Sequence, residues 1–358
     1  MIGCIIVLSC FLFLSVIYNA TSKNKAFTIT YLVLCGLAVV LQMGLRDATV
    51  PYEVYDVNVY YDAYLEAGTS PLGEFLASKG KDFGYYAFTW LLAHVISDGQ
   101  FLLFIVPVIV CFFTFRYIYK YSGNVVVSAI LFLTLGFYGF AMTGFRQAIA
   151  ISLCLWSVDF IKKRKVFPFI IVLLLATSFH QTAIVFGILF FFGNAKLKPS
   201  VIFLVVAIIA IISFMATYVF DIFNTWFGMN YTEENKDSKV GSILRLVIYA
   251  VIFVLIRLVY ANRQNDRRLL NSRLSLMTYS MIFGSVISVF EITFSSILFR
   301  IAIYFIHAQI FVLVPNAVGF IHDKRIRRLI EVLFVVFSVA LFLITIWRNE
   351  LYEFYYII

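Results

Sequence analysis

Long apolar segments separated by short polar connections run along the whole chain. Most are close to the roughly 20 residues that an α-helix needs to cross the hydrocarbon core of a bilayer. We mark these segments at 2–18, 26–44, 84–97, 101–119, 124–140, 145–161, 166–192, 200–222, 242–260, 274–291, 298–318 and 327–346. The pattern predicts an all-α polytopic integral membrane protein, with about 11–13 transmembrane or re-entrant helices in one domain that spans residues 1–358.

The composition excludes a soluble globular protein. Of the 358 residues, 63% are apolar and 13% are charged, whereas a soluble domain is roughly half apolar and about a quarter charged. The net charge of +9 is read as a topology signal, and no nucleic-acid partner is expected. The five cysteines lie in apolar segments without a histidine at ligand spacing, so neither a metal site nor a disulfide framework is expected.

Clusters of lysine and arginine set the expected orientation. The strongest lie at 162–165, 263–273 and 324–328, and such clusters mark cytoplasmic connections. All three fall on one side only if segment 166–192 turns back, and the polar run 178–182 is where we expect the break. The same argument makes 84–97 a partial insertion, with 46–83 and 230–242 as extracytoplasmic loops.

In this topology, charged side chains in or beside the segments gather at the outer face. A charged side chain inside the bilayer costs at least about 2.5 kcal/mol, so each is a functional hypothesis by default. The arginine fork matches phosphate oxygens, and several arginines around one outer cavity favour a diphosphate ligand. The alternatives are an ion pair between Glu291 and either Arg146 or Arg300, and an interfacial anchor at Arg46. The candidate cations are Arg46, Arg146, Arg245 and Arg300.

Polar neighbours extend this candidate site. Gln147 follows Arg146, and Tyr304 lies four residues after Arg300 on the same helix face. Tyr60 and Tyr61 belong to an acidic, tyrosine-rich loop that suits a hydroxyl-rich ligand, although such tyrosines also form belts at membrane interfaces.

Three residues are candidate general bases. His180 can accept a proton from a hydroxyl nucleophile, or it can serve only to hydrogen-bond backbone groups that a helix break leaves unpaired. Asp56 and Glu291 are its rivals.

Several of these residues stand in an order that resembles the EpsG family of Wzy-type polysaccharide polymerases. The resemblance covers about residues 40–310. It is carried by Gly44-Leu45-Arg46, Asp56 with Tyr60, Asp82-Phe83-Gly84-Tyr85, Gly144-Phe145-Arg146-Gln147-Ala148, Phe179-His180-Gln181-Thr182, and Arg300 with Tyr304.

The resemblance implies an enzyme that joins oligosaccharide repeat units carried on undecaprenyl diphosphate, at the outer face of the bacterial cytoplasmic membrane. Arg146 and Arg300 would clamp the diphosphate, and Arg46 and Arg245 would support them. The base would be His180 or Asp56. No metal or cofactor is expected, and a flippase and a chain-length regulator of the same pathway are possible partners.

Three other functions fit parts of the pattern. A flippase for the same lipid-linked sugar would also need an arginine-lined cavity, but transporters of that kind usually show polar groups through the midplane and inverted repeats. A membrane-bound O-acyltransferase would use His180 from the cytoplasmic side. A membrane scaffold would leave the intramembrane arginines unexplained.

Overall fold

The chain folds into a helical bundle, seen here in a computed structural model. Residues 1–21, 24–48, 56–193, 239–262, 267–293 and 298–348 are described. Within these ranges the structure is almost entirely helical and contains no β-strand, so the all-α fold expected from the sequence is confirmed. The predicted segment 200–222, most of the predicted loop 230–242 and the 263–266 part of the second basic cluster lie outside the described residues.

The first half of the bundle contains eleven described helices and one 3₁₀ segment. They are α1 (Ile2–Ala20), α2 (Lys25–Gly44), α3 (Val57–Thr69), α4 (Leu72–Lys79), α5 (Phe83–Val95), α6 (Gln100–Tyr121), α7 (Val125–Thr134), α8 (Phe137–Ala141), α9 (Phe145–Lys162), α10 (Val166–Phe179), a 3₁₀ helix (Gln181–Ile188) and α11 (Leu189–Phe192). The second half contributes α12 (Lys239–Asn262), α13 (Arg267–Thr293), α14 (Leu298–Val318) and α15 (Lys324–Arg348).

Five of the described helices are long and apolar enough to cross a bilayer. They are Ile2–Ala20, Lys25–Gly44, Gln100–Tyr121, Leu298–Val318 and Lys324–Trp347. On the outer helices, large apolar side chains face away from the protein, as Phe13 does with 67% of its surface exposed. Such faces would be unfavourable in water and are stable against lipid, which supports a membrane protein.

The centre of the bundle is formed by largely apolar helices that are buried on nearly every side. Almost every residue of α7 and α9 is buried, as are the described side chains of α14 from Ile301 to Ile306 and from Ile310 to Val318. A helix without a polar face is stable only when other helices surround it. Arg146 and Gln147 therefore begin a helix whose position is fixed on all sides.

Residues 56–83, which make up most of the predicted loop 46–83, are largely helical. They contain α3 and α4, and α3 buries Tyr60, Ala63, Tyr64 and Ala67. This i, i+3, i+4, i+7 spacing is the stripe of an amphipathic helix.

The segment 166–192 is broken and folds back on itself. Helix α10 ends at Phe179, His180 has an extended backbone, and a 3₁₀ helix follows. The rings of Phe169 and Phe190 are 4.9 Å apart between centroids. In a straight α-helix, 21 residues would separate them by about 31 Å. His180 therefore lies at the tip of a helical hairpin.

Candidate functional site

A buried carboxylate joins three parts of the chain at the tip of this hairpin. Asp82 precedes α5, and its side chain is only 1% exposed. Its Oδ2 accepts hydrogen bonds from Arg146 Nη1 at 2.8 Å and from His180 Nδ1 at 3.3 Å. Its Oδ1 accepts one from the backbone N–H of Gln181 at 3.1 Å. Asp82 therefore connects the start of α5, the start of α9 and the break after α10.

A close approach between α5 and α10 brings Asp82 to His180. A Cβ atom added to Gly84 would overlap the side chain of Ser178 and would lie 3.0 Å from the backbone carbonyl carbon of that residue. Only glycine fits at this contact without a shift of one helix. The short sequence Asp82-Phe83-Gly84 thus supplies both the carboxylate and the glycine that lets α5 approach α10.

Two tyrosines hold the guanidinium of Arg146. Its Cζ lies 5.7 Å from the ring centroid of Tyr60 and 5.8 Å from that of Tyr86, within the range of cation–π attraction. The Tyr60 ring in turn stacks on Phe145, with centroids 4.9 Å apart. Among the described residues, Arg146 Nε has no hydrogen-bond partner. The guanidinium is therefore fixed in place without all of its donors being used.

Arg146 and His180 line one small cavity of about 50 Å³. Its walls are formed by Asp56, Tyr60, Phe140, Thr143, Gly144, Arg146, Gln147, His180 and Arg300. A cavity of this size holds a few water molecules or a small polar group, and it is too small for an oligosaccharide. The structure brings together six of the residues predicted as site residues: Asp56, Tyr60, Arg146, Gln147, His180 and Arg300.

The two arginines of the cavity differ in their pairing. Arg146 forms an ion pair with Asp82. The side chain of Arg300 is exposed and has no hydrogen-bond or ion-pair partner within the described ranges. Among the described side chains, one positive charge at the cavity is thus balanced by an acid, and the other is not.

Gln147 and Tyr304 hold the walls of the cavity together. Gln147 Nε2 donates a hydrogen bond to the backbone carbonyl of Arg300. Tyr304 is fully buried, and its hydroxyl lies 3.4 Å from Thr182 Oγ1, just beyond the break. Tyr304 does not line the cavity, so its described contact is with the protein rather than with the predicted diphosphate site.

Arg46 and Tyr61 do not line the cavity. Arg46 is fully buried, and it donates hydrogen bonds to the carbonyls of Met43 at 3.1 Å and Met142 at 2.8 Å. These contacts join the end of α2 to the chain just before α9. Tyr61 is half-buried and packs on the core, and the side chains of Arg245 and Glu291 lie outside the described residues.

Electrostatics keep Asp82 charged and Tyr60 neutral. Burial by itself would raise the pKa of Asp82, but the hydrogen bond from His180 and the charge of Arg146 outweigh it and lower that pKa below its usual value. Burial raises the pKa of Tyr60 to about 12, against the opposing charge of Arg146. At neutral pH the site therefore holds an ionised carboxylate beside a neutral phenol.

Asp82 lies at the centre of this candidate site, and the sequence does not single it out as a site residue. In the sequence it stands only within the Asp82-Phe83-Gly84-Tyr85 element of the resemblance. Its partners lie 64 and 98 positions away in the sequence, and no local pattern reveals such contacts. The local sequence signal for Asp82 is an aspartate two residues before a glycine, at the start of an apolar segment.

No group of three or more metal-ligating side chains occurs among the residues that the structure describes.

Comparison with known proteins gives one match. No curated protein and no solved structure matches the chain significantly. The sequence profile of the EpsG family matches residues 29–357, nearly the whole chain. The chain therefore belongs to the EpsG family, and this membership supports a function of the polysaccharide-polymerase type.

Proposed function

We propose that this protein is a Wzy-like polysaccharide polymerase. It would join oligosaccharide repeat units carried on undecaprenyl diphosphate at the outer face of the bacterial cytoplasmic membrane. The observation that carries the proposal is Arg146, which is held by Asp82 and two tyrosine rings at a cavity that Arg300 and His180 also line.

The two arginines suit the leaving group of this reaction. A growing chain leaves its lipid carrier as the diphosphate takes the bonding electron pair, so negative charge develops on phosphate oxygens. Fixed guanidinium groups stabilise such charge in a water-poor site. Arg146 is held before the substrate arrives, and Arg300, which has no ion-pair partner among the described side chains, can complete the clamp. These two cations would stabilise the leaving group without a metal ion.

The attacking group is a sugar hydroxyl of a second lipid-linked unit. Its oxygen forms the new bond to the anomeric carbon of the growing chain while the bond to the diphosphate breaks. The hydroxyl proton passes to a general base, and His180 suits this role because its Nδ1 is bonded to Asp82 and its ring lines the cavity. Asp56 also lines the cavity and is the alternative base.

The small cavity fits the reacting groups rather than whole substrates. A volume of about 50 Å³ accommodates a polar group at the reaction centre, whereas the sugars and the lipid tail need other surfaces. Asp56 on the wall supplies an acceptor oxygen for a sugar hydroxyl. The Tyr60 ring is buried against Phe145 and Arg146, so it shapes the wall of the cavity and does not offer a free aromatic face.

Reconstitution distinguishes this function from a flippase. Purified protein in liposomes is supplied with lipid-linked repeat units, and both glycan length and movement of the units across the bilayer are measured. We expect longer glycan chains without translocation. Translocation without chain lengthening would overturn the proposal, and so would the transfer of an acyl group with no change in glycan length.

A further inference from the structure

We propose that Asp82 is a positioning residue that fixes both His180 and Arg146 for glycosyl transfer. Its carboxylate would hold the His180 ring with Nε2 free for the acceptor hydroxyl, and would hold the Arg146 guanidinium where the diphosphate departs. The effect of Asp82 on glycosyl transfer rests on the function proposed above. Its role in fixing the His180 and Arg146 side chains does not.

The hydrogen bond to His180 determines which ring nitrogen can act as a base. A neutral imidazole carries one N–H, and its other nitrogen is the acceptor. An ionised carboxylate has no proton to donate, so it can only accept a hydrogen bond. Asp82 Oδ2 lies 3.3 Å from Nδ1 of His180. The proton of the neutral ring is therefore placed on Nδ1, and Nε2 is left with its lone pair for a ligand in the cavity.

The ion pair with Arg146 uses the same oxygen. Arg146 Nη1 lies 2.8 Å from Asp82 Oδ2, so the imidazole and the guanidinium share one acceptor atom. With Tyr60 and Tyr86 against the guanidinium, the remaining freedom of Arg146 is small. A displacement of Asp82 would thus move the base and the diphosphate clamp together.

The local backbone shows that Asp82 does not serve its own helix. It occupies the N-cap position of α5, where an aspartate usually accepts a hydrogen bond from the first turn, but its side chain makes no such bond. Its backbone is left-handed, with φ 54° and ψ 43°, a region that residues other than glycine adopt infrequently. Such a conformation persists where surrounding contacts hold it, and here the carboxylate contacts lie across the site.

The chain contains a matched control for the loss of a buried carboxylate. Asp159 near the end of α9 has a side chain that is 6% exposed, and it accepts hydrogen bonds from Arg116, Lys120 and Tyr121. It does not line the cavity. Asp159→Asn therefore removes a buried, multiply bonded acid at a distance from the site.

The first test uses nitrogen NMR of histidine-labelled protein in detergent, with the His180 signal assigned from its loss in His180→Gln. We expect the Nδ1–H form of neutral His180 in the wild type and in Asp159→Asn, and a shift toward the Nε2–H form in Asp82→Ala. An Nε2–H form in the wild type, or no change in Asp82→Ala, would overturn the proposal. This readout does not depend on any enzymatic activity.

The second test is a double-mutant cycle on the rate of chain lengthening. We expect Asp82→Ala to lower kcat by about 10- to 1,000-fold. The loss in Asp82→Ala/His180→Gln should be smaller than the product of the two single losses, because the part of the Asp82 effect that acts through His180 is already absent. If the loss in the double variant equals the product of the two single losses, Asp82 does not act through His180, and the proposal is wrong. If Asp82→Ala does not fold, Asp82→Asn replaces it in the cycle, since it keeps the shape and removes the charge.

The two tests fail separately from the proposed function. If the wild type does not lengthen chains, the proposed function is wrong, and the NMR measurement still decides whether Asp82 fixes His180. If the wild type is active but neither measurement responds to Asp82, the positioning role is wrong and the polymerase function stands.

Discussion

His180 and Asp56 line the same cavity but lie in different surroundings. His180 is half-buried and bonded to Asp82, whereas Asp56 is exposed at the start of α3. A general base works best when its orientation is fixed before the substrate binds. The surroundings therefore favour His180 for the transfer of the hydroxyl proton.

Substitution of each candidate base separates their roles. We expect His180→Gln to lower kcat for chain lengthening by about 10²- to 10⁴-fold with little change in the KM of the donor. Asp56→Asn should stay within about threefold of the wild-type kcat, because Asp56 is exposed and no described side chain fixes its carboxylate. If the two results were exchanged, the base role would pass to Asp56.

The ionisation of Asp82 links stability to pH. Its pKa is lower in the folded protein than in the unfolded chain, so its contribution to stability is present above the unfolded pKa of about 3.9 and is lost as the pH falls through the lower folded value. The difference in melting temperature between the wild type and Asp82→Asn should be largest near neutral pH and should shrink below about pH 4. A difference that stays constant down to pH 3 would mean that the carboxylate charge contributes nothing.

Among the helices, the contact between the start of α5 and the end of α10 determines the geometry of the site. Gly84 permits this contact, and the break after Phe179 exposes the backbone N–H that binds Asp82. Both features are local in sequence, yet the position of Asp82 depends on the two together.

Alanine substitutions at two glycines test this contact. Gly84→Ala forces Cβ into Ser178 and should cost about 1–3 kcal/mol through overpacking, with a lower melting temperature and slower chain lengthening. Gly73 in α4 is the matched control, because its added Cβ meets nothing within 4 Å. Gly73→Ala should leave both quantities unchanged or slightly raise the melting temperature. Equal behaviour of the two variants would show that α5 and α10 do not need this close approach.

The sequence predicted those parts of the structure that depend on local pattern. Runs of apolar residues indicated the helices, and the polar run around His180 indicated a break, because both signals lie within one element. The helical spacing of Tyr60 and Tyr64 is also a local signal, but the high charge of the region favours a loop. The contacts of Asp82 with Arg146 and His180 depend on how separate helices pack, so no spacing along the chain reveals them.

For the molecule as a whole, the buried ion-pair groups of Asp82 and Asp159 lie at opposite ends of helix α9. Arg146 begins α9, whereas Asp159 near its other end binds Arg116 and Lys120 beside the basic run 162–165. The two groups are 13 positions apart on one helix, or about 20 Å. If basic connections face the cytoplasm, the cavity faces outward.

Chemical labelling of single cysteines tests this orientation. The native cysteines are buried or half-buried. A cysteine introduced at an exposed position should therefore account for most of the maleimide labelling. A membrane-impermeant maleimide should label Asp62→Cys in intact cells and Lys163→Cys only after the membrane is permeabilised. The reverse pattern would place the cavity on the cytoplasmic side and would remove the support for an outward-facing polymerase.

Arg146 carries the proposal that this protein transfers glycans from a lipid diphosphate. Arg116 is its matched control, since it is also an arginine bonded to a buried aspartate, at the other end of the bundle. The measurement is the rate of chain lengthening by purified variants in liposomes that contain lipid-linked repeat units.

We expect Arg116→Ala to keep a rate within about threefold of the wild type and Arg146→Ala to lose about 100-fold or more. Arg146→Lys should recover less than about a tenth of the wild-type rate, because a point charge does not replace the planar fork. A near wild-type rate for Arg146→Ala in correctly folded protein would contradict the role of Arg146 in stabilising the diphosphate leaving group.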